Sequence, residues 1–508
     1  MKLDKKWSGM LLFAGVFIFM LVWYTSVHPF VVFSFDDWRY ISKTRVAVPL
    51  LSEWNPTRIL PELLMPACGY IAAYLIYPFT NDYIGSLTIM FALAGALATA
   101  SYVYAFYSCI SKRFELGEGS AVLIAVMFLG LHFLALRSGS SENQYLLGGD
   151  SPTILFYYFI PALLNGCLVM HFEKYGGVSA CWKSSNAAAK ACIVTACYFA
   201  VCSNMYCSII LAVYAGWQLL MAIICQWKAR QRFKSAFFRE NAGPLLLLGG
   251  WLVSIIIEYF GGRATKLKGM TRSRPLYNSA GRFYVMSCRL NHAMLILAGI
   301  VLVLCIVLIW RRRSGKDQSD TAAQGIIWMC ACCFSLTAIY SVLLASMVAP
   351  SDMMTAKVWV VILFFFLFGL CVGLSYLVRR LPRMRILLPI ISIALLSMIV
   401  VKGQGQMFMD GTAHGIDASI CRAVDNEMIR QTLEAEREGL QSVSIEIPQC
   451  LEKGDNWPFN PDTDIHYANA LYRHGLLPRY IDVDFVPSQE IYEYYFKDRS
   501  ISGDSSQY

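Results

Sequence analysis

The chain has 508 residues, 57% of them hydrophobic and only 15% charged, with a formal net charge of +9 and a mean hydropathy of +0.49. A soluble domain carries about 25% charged residues. The shortfall, together with many apolar runs of roughly 20 residues, excludes an ordinary soluble protein and predicts a polytopic membrane protein. The positive charge is not a nucleic-acid signal, because most Lys and Arg sit in short clusters between apolar runs, as the positive-inside rule expects.

Residues 1–8 carry Lys2, Lys5 and Lys6 ahead of an apolar run over 9–27. Its long core, without a small-x-small site before His28-Pro29, predicts a retained helix rather than a cleaved signal. The lysines place the N-terminus in the cytoplasm, so the far end of this helix emerges outside. Residues 30–60 then form a polar, aromatic outer loop that opens on FSFDDWRY (33–40). The stretch 61–79 has three prolines and marginal length. It is read as lying at the outer interface, because a crossing there would put Lys112-Arg113 outside. The first outer loop therefore runs over 30–83.

Ten further spans are assigned by alternation, near 84–109, 120–136, 153–172, 190–203, 207–226, 244–260, 290–309, 323–348, 358–378 and 386–402. The expectation is an all-α domain of about eleven transmembrane helices over 1–402, in the inner (plasma) membrane. Residues 403–508 then form a small extracytoplasmic α/β domain. There, 417–440 reads as a charged amphipathic helix, 442–448 and 480–487 as strands, and Asp464 as the cap of a short helix through His474. His466, near Asp462 and Asp464, reads as part of a solvated turn rather than a metal ligand. Cys421 and Cys450 leave a disulfide open. Most of the 17 cysteines lie inside apolar runs, where Cys acts as a small hydrophobe.

One basic loop runs against the orientation signal. Residues 261–289 hold Arg263, Lys266, Lys268, Arg272, Arg274, Arg282 and Arg289 without an acid. Such a loop either pairs with anionic headgroups or holds the phosphate of an anionic lipid substrate.

Asp36 and Asp37 are the main candidates for chemistry. A loop acid can simply cap a helix. A carboxylate at a membrane boundary can instead take a proton from an acceptor hydroxyl or hold a cation, since low dielectric and a neighbouring carboxylate raise its pKa toward a useful range. Trp38 is placed to stack on a sugar ring, and Glu142 in the second outer loop is a candidate second acid.

FSFDDWRY (33–40), WNPTRILPELL (54–64), SGSSENQY (138–145) and GGRATKLKG (261–269), set in this architecture, resemble the GT-C superfamily of integral-membrane glycosyltransferases, in particular the bacterial enzymes that decorate surface glycans such as lipopolysaccharide or teichoic acid. The resemblance covers roughly residues 1–400 and implies a polyprenyl-phosphate-linked sugar donor, a glycan or lipid acceptor, and transfer with inversion. It makes Asp36 the base and Asp37 its helper or the ligand of a divalent cation. Arg58, Arg263, Lys266 and Lys268 become the partners of the lipid-phosphate leaving group. A flippase or transporter for lipid-linked glycans, or a glycan polymerase or ligase, is the competing class. A transporter should place ionisable groups at the bilayer midplane, and the predicted spans hold almost none.

Overall fold

A computed structural model describes residues 5–32, 34–48, 56–137, 145–147, 151–230, 234–260, 273–311, 318–381, 383–402, 417–449 and 462–496. Among these, nine helices are long and apolar enough to cross a membrane: Trp7–Val27, Pro56–Thr80, Tyr83–Phe114, Pro152–Tyr175, Met205–Lys228, Ala242–Phe260, His292–Arg311, Ala322–Met347 and Ala356–Arg380. Glu118–Leu134, Ala187–Val201 and Met384–Met398 are shorter apolar helices. Three of the predicted spans thus fall below full length, while Pro56–Thr80, read as interfacial, reaches it.

The helix ends carry local signals. Asp82 caps Tyr83–Phe114, its Oδ1 accepting from the Gly85 N–H at 2.8 Å, and Lys112 and Arg113 occupy the last turn, where cations complement the helix dipole. Gly176 ends Ile160–Tyr175 at φ 90°, a left-handed position that favours glycine. Three π-turns, Trp23–Val27, Ala72–Ile76 and Leu155–Phe159, interrupt the helices.

The helices starting at Tyr83 and Pro152 run side by side in the same direction. Phe91 meets Phe156 at 5.3 Å between ring centroids near their starts, and Gly166 faces Tyr102 and Phe364 further along. A Cβ at Gly166 would come within 2.7 Å of the Tyr102 ring, so the glycine permits the approach. Ala356–Arg380 is the central rod, with 89% of its apolar window buried. An apolar groove of about 720 Å³ opens between the helices of Trp217, Trp251 and Trp328.

Pro56–Thr80 has the length of a span, yet its neighbours all belong to one end of the bundle. The Leu60 N–H donates to the Cys202 carbonyl, where Ala187–Val201 finishes. Gly69 lies under the Ile41 carbonyl and the His474 ring. The Tyr74 hydroxyl donates to the Arg473 carbonyl, and Tyr77 meets Tyr83, the first residue of its helix. Both ends of this helix therefore pack against one face of the bundle.

The C-terminal part is built from the helix Ala418–Arg437, strand β1 (Ser442–Pro448), the helix Thr463–Arg473, strand β2 (Asp482–Ser488) and the helix Gln489–Phe496. β1 and β2 pair in parallel, Ser442 opposite Asp482 and Pro448 opposite Ser488. Asp464 is not the cap of its helix. Asp462 occupies that position at φ 70°, and the Asp464 carboxylate accepts from the next N–H, that of Ile465. Cys421 carries a free, buried thiol, and Cys450 lies outside the described residues.

This part packs on the same end of the bundle as Asp36. Trp38 sits edge-on to Tyr467 at 4.9 Å, and Phe35 meets His466 at 4.9 Å. The Tyr83 hydroxyl and His474 Nδ1 share a 2.6 Å hydrogen bond. Arg422 pairs with Asp82, and Arg473 donates to the Ser42 carbonyl at 3.3 Å.

Candidate active site

The acidic pair opens a six-residue helix, Phe35–Tyr40, and the local sequence explains why. Ser34 is the N-cap and Asp37 the third helical residue. The Ser34 N–H donates to Asp37 Oδ2 at 2.9 Å, and Ser34 Oγ accepts from the Asp37 N–H at 3.4 Å. This reciprocal capping box satisfies two donors that a helix start otherwise leaves open. The other oxygen, Oδ1, accepts from the Thr153 N–H at 2.9 Å and its hydroxyl at 2.6 Å. Thr153 belongs to the turn Pro152–Ile154, itself capped by Ser151. Asp37 is therefore a buried clamp that ties the first loop to the start of the Pro152–Tyr175 segment.

Asp36 is different. It is solvent-exposed, yet protein closes round enough of it that loss of hydration raises its pKa, an effect opposed by Arg39, Arg58, His466 and Lys357. These four groups come from four separated stretches of sequence. Arg39 lies over the rings of Phe35 and Tyr40, at 5.8 and 5.4 Å. Arg58 donates to the Tyr40 hydroxyl at 3.4 Å and stands 3.5 Å from the buried carboxylate of Glu62, which also takes Arg45. Lys357 pairs with Asp352 at 3.0 Å and lies 5.1 Å from the Tyr158 ring. The Tyr206 hydroxyl donates to the second Asp352 oxygen at 3.5 Å. Nearby, the Thr57 hydroxyl donates to Glu258 at 2.8 Å. The His466 pKa is lowered, first by lost hydration and then by Arg39 and Lys43, so near neutral pH the ring is neutral and able to accept or donate a hydrogen bond.

The arrangement offers one accessible carboxylate set among positive groups, at the boundary of an apolar bundle. Such a site can take a proton from a hydroxyl and hold an anion beside it. It is a poor fit for a divalent cation, since the charges acting on Asp36 are positive. Among the described residues, no three His, Cys, Asp or Glu side chains gather in a metal-binding group.

The predicted residues divide. Arg58 comes near enough to Asp36 to act on its charge. Asp37 has both oxygens engaged. Trp38 is fully buried against Tyr467 and presents no open ring face to a sugar, which corrects the stacking role expected for it. Glu142, Arg263, Lys266 and Lys268 lie outside the described residues. The flanks of 261–272 do reach this end. Glu258 bonds Thr57 on one side, and on the other Phe283 stacks on Trp359 at 5.3 Å, two residues from Lys357.

Sequence reading passed over Asp352 and Lys357, and it weighed a capping role within the acidic pair without assigning it to Asp37. That assignment was legible, since Ser34-x-x-Asp37 is a capping-box spacing. Asp352 and Lys357 lie in a turn, APSDMMTAK, with no periodicity to single them out. No protein-family model matches the chain, and no curated protein or solved structure matches it.

Proposed function

We propose that the protein is an integral-membrane glycosyltransferase of GT-C type, moving a sugar from a polyprenyl-phosphate donor to a cell-surface glycan or lipid acceptor. The observation that carries this reading is Asp36, an accessible carboxylate with raised pKa beside Arg39, Arg58, Lys357 and the neutral ring of His466, at one end of an apolar helix bundle. In the proposed step, Asp36 takes the proton of the acceptor hydroxyl as its oxygen attacks the anomeric carbon. The bond from that carbon to the phosphate oxygen breaks on the opposite face, and the lipid phosphate leaves with the electron pair. Inversion is the result of the single displacement. Arg58 and Lys357 offset the charge that develops on the leaving phosphate, with Arg263, Lys266 and Lys268 as further candidates.

The proposed topology has eleven crossings, made by eight of the nine long helices and the three shorter ones, with Pro56–Thr80 along the outer face. The N-terminus is then cytoplasmic, and Asp36 and the C-terminal part face away from the cytoplasm. Nucleotide sugars are absent on that side, which favours a lipid-linked donor.

The test is transfer activity in membranes from cells making Asp36→Asn at wild-type protein level. A general base contributes about 10²–10⁴-fold, so a loss of that size is expected, with an unchanged melting temperature. Full activity in Asp36→Asn would sink the proposal.

A further inference from the structure

Far from Asp36, the helices Tyr83–Phe114 and Ile160–Tyr175 finish side by side. Their common end is about 48 Å from the start of the longer helix, at 1.5 Å per residue over its 32 residues. Two lysines converge there on one ring. Lys112 Nζ is 3.9 Å from the Tyr175 ring centroid and Lys174 Nζ is 5.6 Å from it. The His171 ring lies 5.3 Å from the same ring. Both lysines also flank the Cys181 thiol, whose pKa burial raises and the two ammonium groups pull back.

Three acids at this end are committed elsewhere, and the exposed Glu240 meets Ser179 through its backbone carbonyl. Glu173 is buried and accepts from the Tyr214 hydroxyl at 2.8 Å. Glu115 pairs with Arg379 at 3.4 Å, and Glu118 accepts from Tyr107 at 2.8 Å. Among the described residues, neither lysine has a carboxylate partner. The helix dipole accounts for one lysine in each last turn, but not for both meeting over one tyrosine. Ammonium groups held together without a counter-ion repel each other, and an anion between them removes that cost.

Exposed Trp182 stands close by, with Lys190 at 5.2 Å from its ring. Aromatic rings of this kind mark the headgroup level of a bilayer. We propose that Lys112, His171 and Lys174 around Tyr175 form a binding site for the phosphate of an acidic phospholipid headgroup. The site is independent of the transferase reading. It would hold one anionic lipid at the end of the bundle remote from the chemistry.

The experiment is native mass spectrometry of the purified full chain with phosphatidylglycerol or phosphatidylcholine added. Each lysine near a charged lipid surface contributes about 1 kcal/mol, so Lys112→Ala/Lys174→Ala should weaken phosphatidylglycerol binding about 30-fold. Lys112→Arg/Lys174→Arg should keep it, as should Lys183→Ala on the same end, and phosphatidylcholine should bind weakly to all four proteins. Equal retention of the two lipids by the wild type would overturn the site, as would undiminished phosphatidylglycerol binding in the double alanine variant. Displacement of the lipid by millimolar inorganic phosphate would overturn the headgroup assignment in favour of a free anion. The arginine variant separates loss of the site from loss of the fold.

Discussion

Consecutive helical side chains point about 100° apart, and that rotation gives neighbouring aspartates opposite fates. Asp37 turns inward, where its carboxylate accepts from the Ser34 N–H and from the N–H and hydroxyl of Thr153, and Asp36 turns toward solvent. The two should separate cleanly in experiment. Asp37→Ala removes a capping box and charge-assisted bonds to Thr153, and should cost about 2–4 kcal/mol of stability, read as a lower melting temperature in detergent. Asp36→Asn should leave melting unchanged and act on turnover alone. The sequence made both residues candidates because proximity in a chain says nothing about direction. The serine three residues before Asp37 carried that information, whereas the cations around Asp36 did not announce themselves. Lys357 and His466 are hundreds of residues away, and only the packing of the chain brings them near.

Helices and their ends carry the next layer. Hydrophobic runs were legible because an apolar bilayer demands long uncharged segments, and the periodic C-terminal helix and both strands were legible for the same kind of reason. Length alone does not tell how Pro56–Thr80 is used, since it is long and apolar enough to span and yet packs both of its ends against one face of the bundle. Only its partners at both ends reveal this. The seam between that face and the helix Thr463–Arg473 contains His474, whose pKa burial lowers to about 4. A histidine held neutral in the docked state binds protons only when released. Its contribution is therefore complete above the ordinary histidine range and is lost as pH falls from about 6.5 toward 4, by up to about 3 kcal/mol. Hydrogen exchange of amides 463–473 should accelerate over that interval, after correction for the intrinsic rate, and His474→Asn should flatten the dependence. In the same seam, Asp425 is buried near Asp37 and its pKa is raised well above the usual range, first by burial and then by that neighbour. Docking therefore disfavours its charged form.

At the scale of the molecule, the two ends of the bundle have different chemistry: mixed charge and aromatic rings around Asp36, and, around Tyr175, lysines with no carboxylate partner among the described residues. The proposed orientation makes a direct prediction. In a variant lacking reactive cysteines, Asp464→Cys should react with a membrane-impermeant thiol reagent in intact cells, and Lys183→Cys only after permeabilisation. The reverse pattern would invert the topology and remove the case for a lipid-linked donor. The docking of the C-terminal part has a consequence in time. Ser42 meets Arg473 and Tyr83 meets His474, pairs 431 and 391 residues apart. A ribosome adds about 5–20 residues per second, so the first loop waits on the order of a minute for its roof. During that interval the inserted helices stand without the group that His466 contributes beside Asp36. The surroundings of Asp36 are thus completed only when the chain is nearly finished, and a message truncated before residue 466 yields a protein that lacks that group.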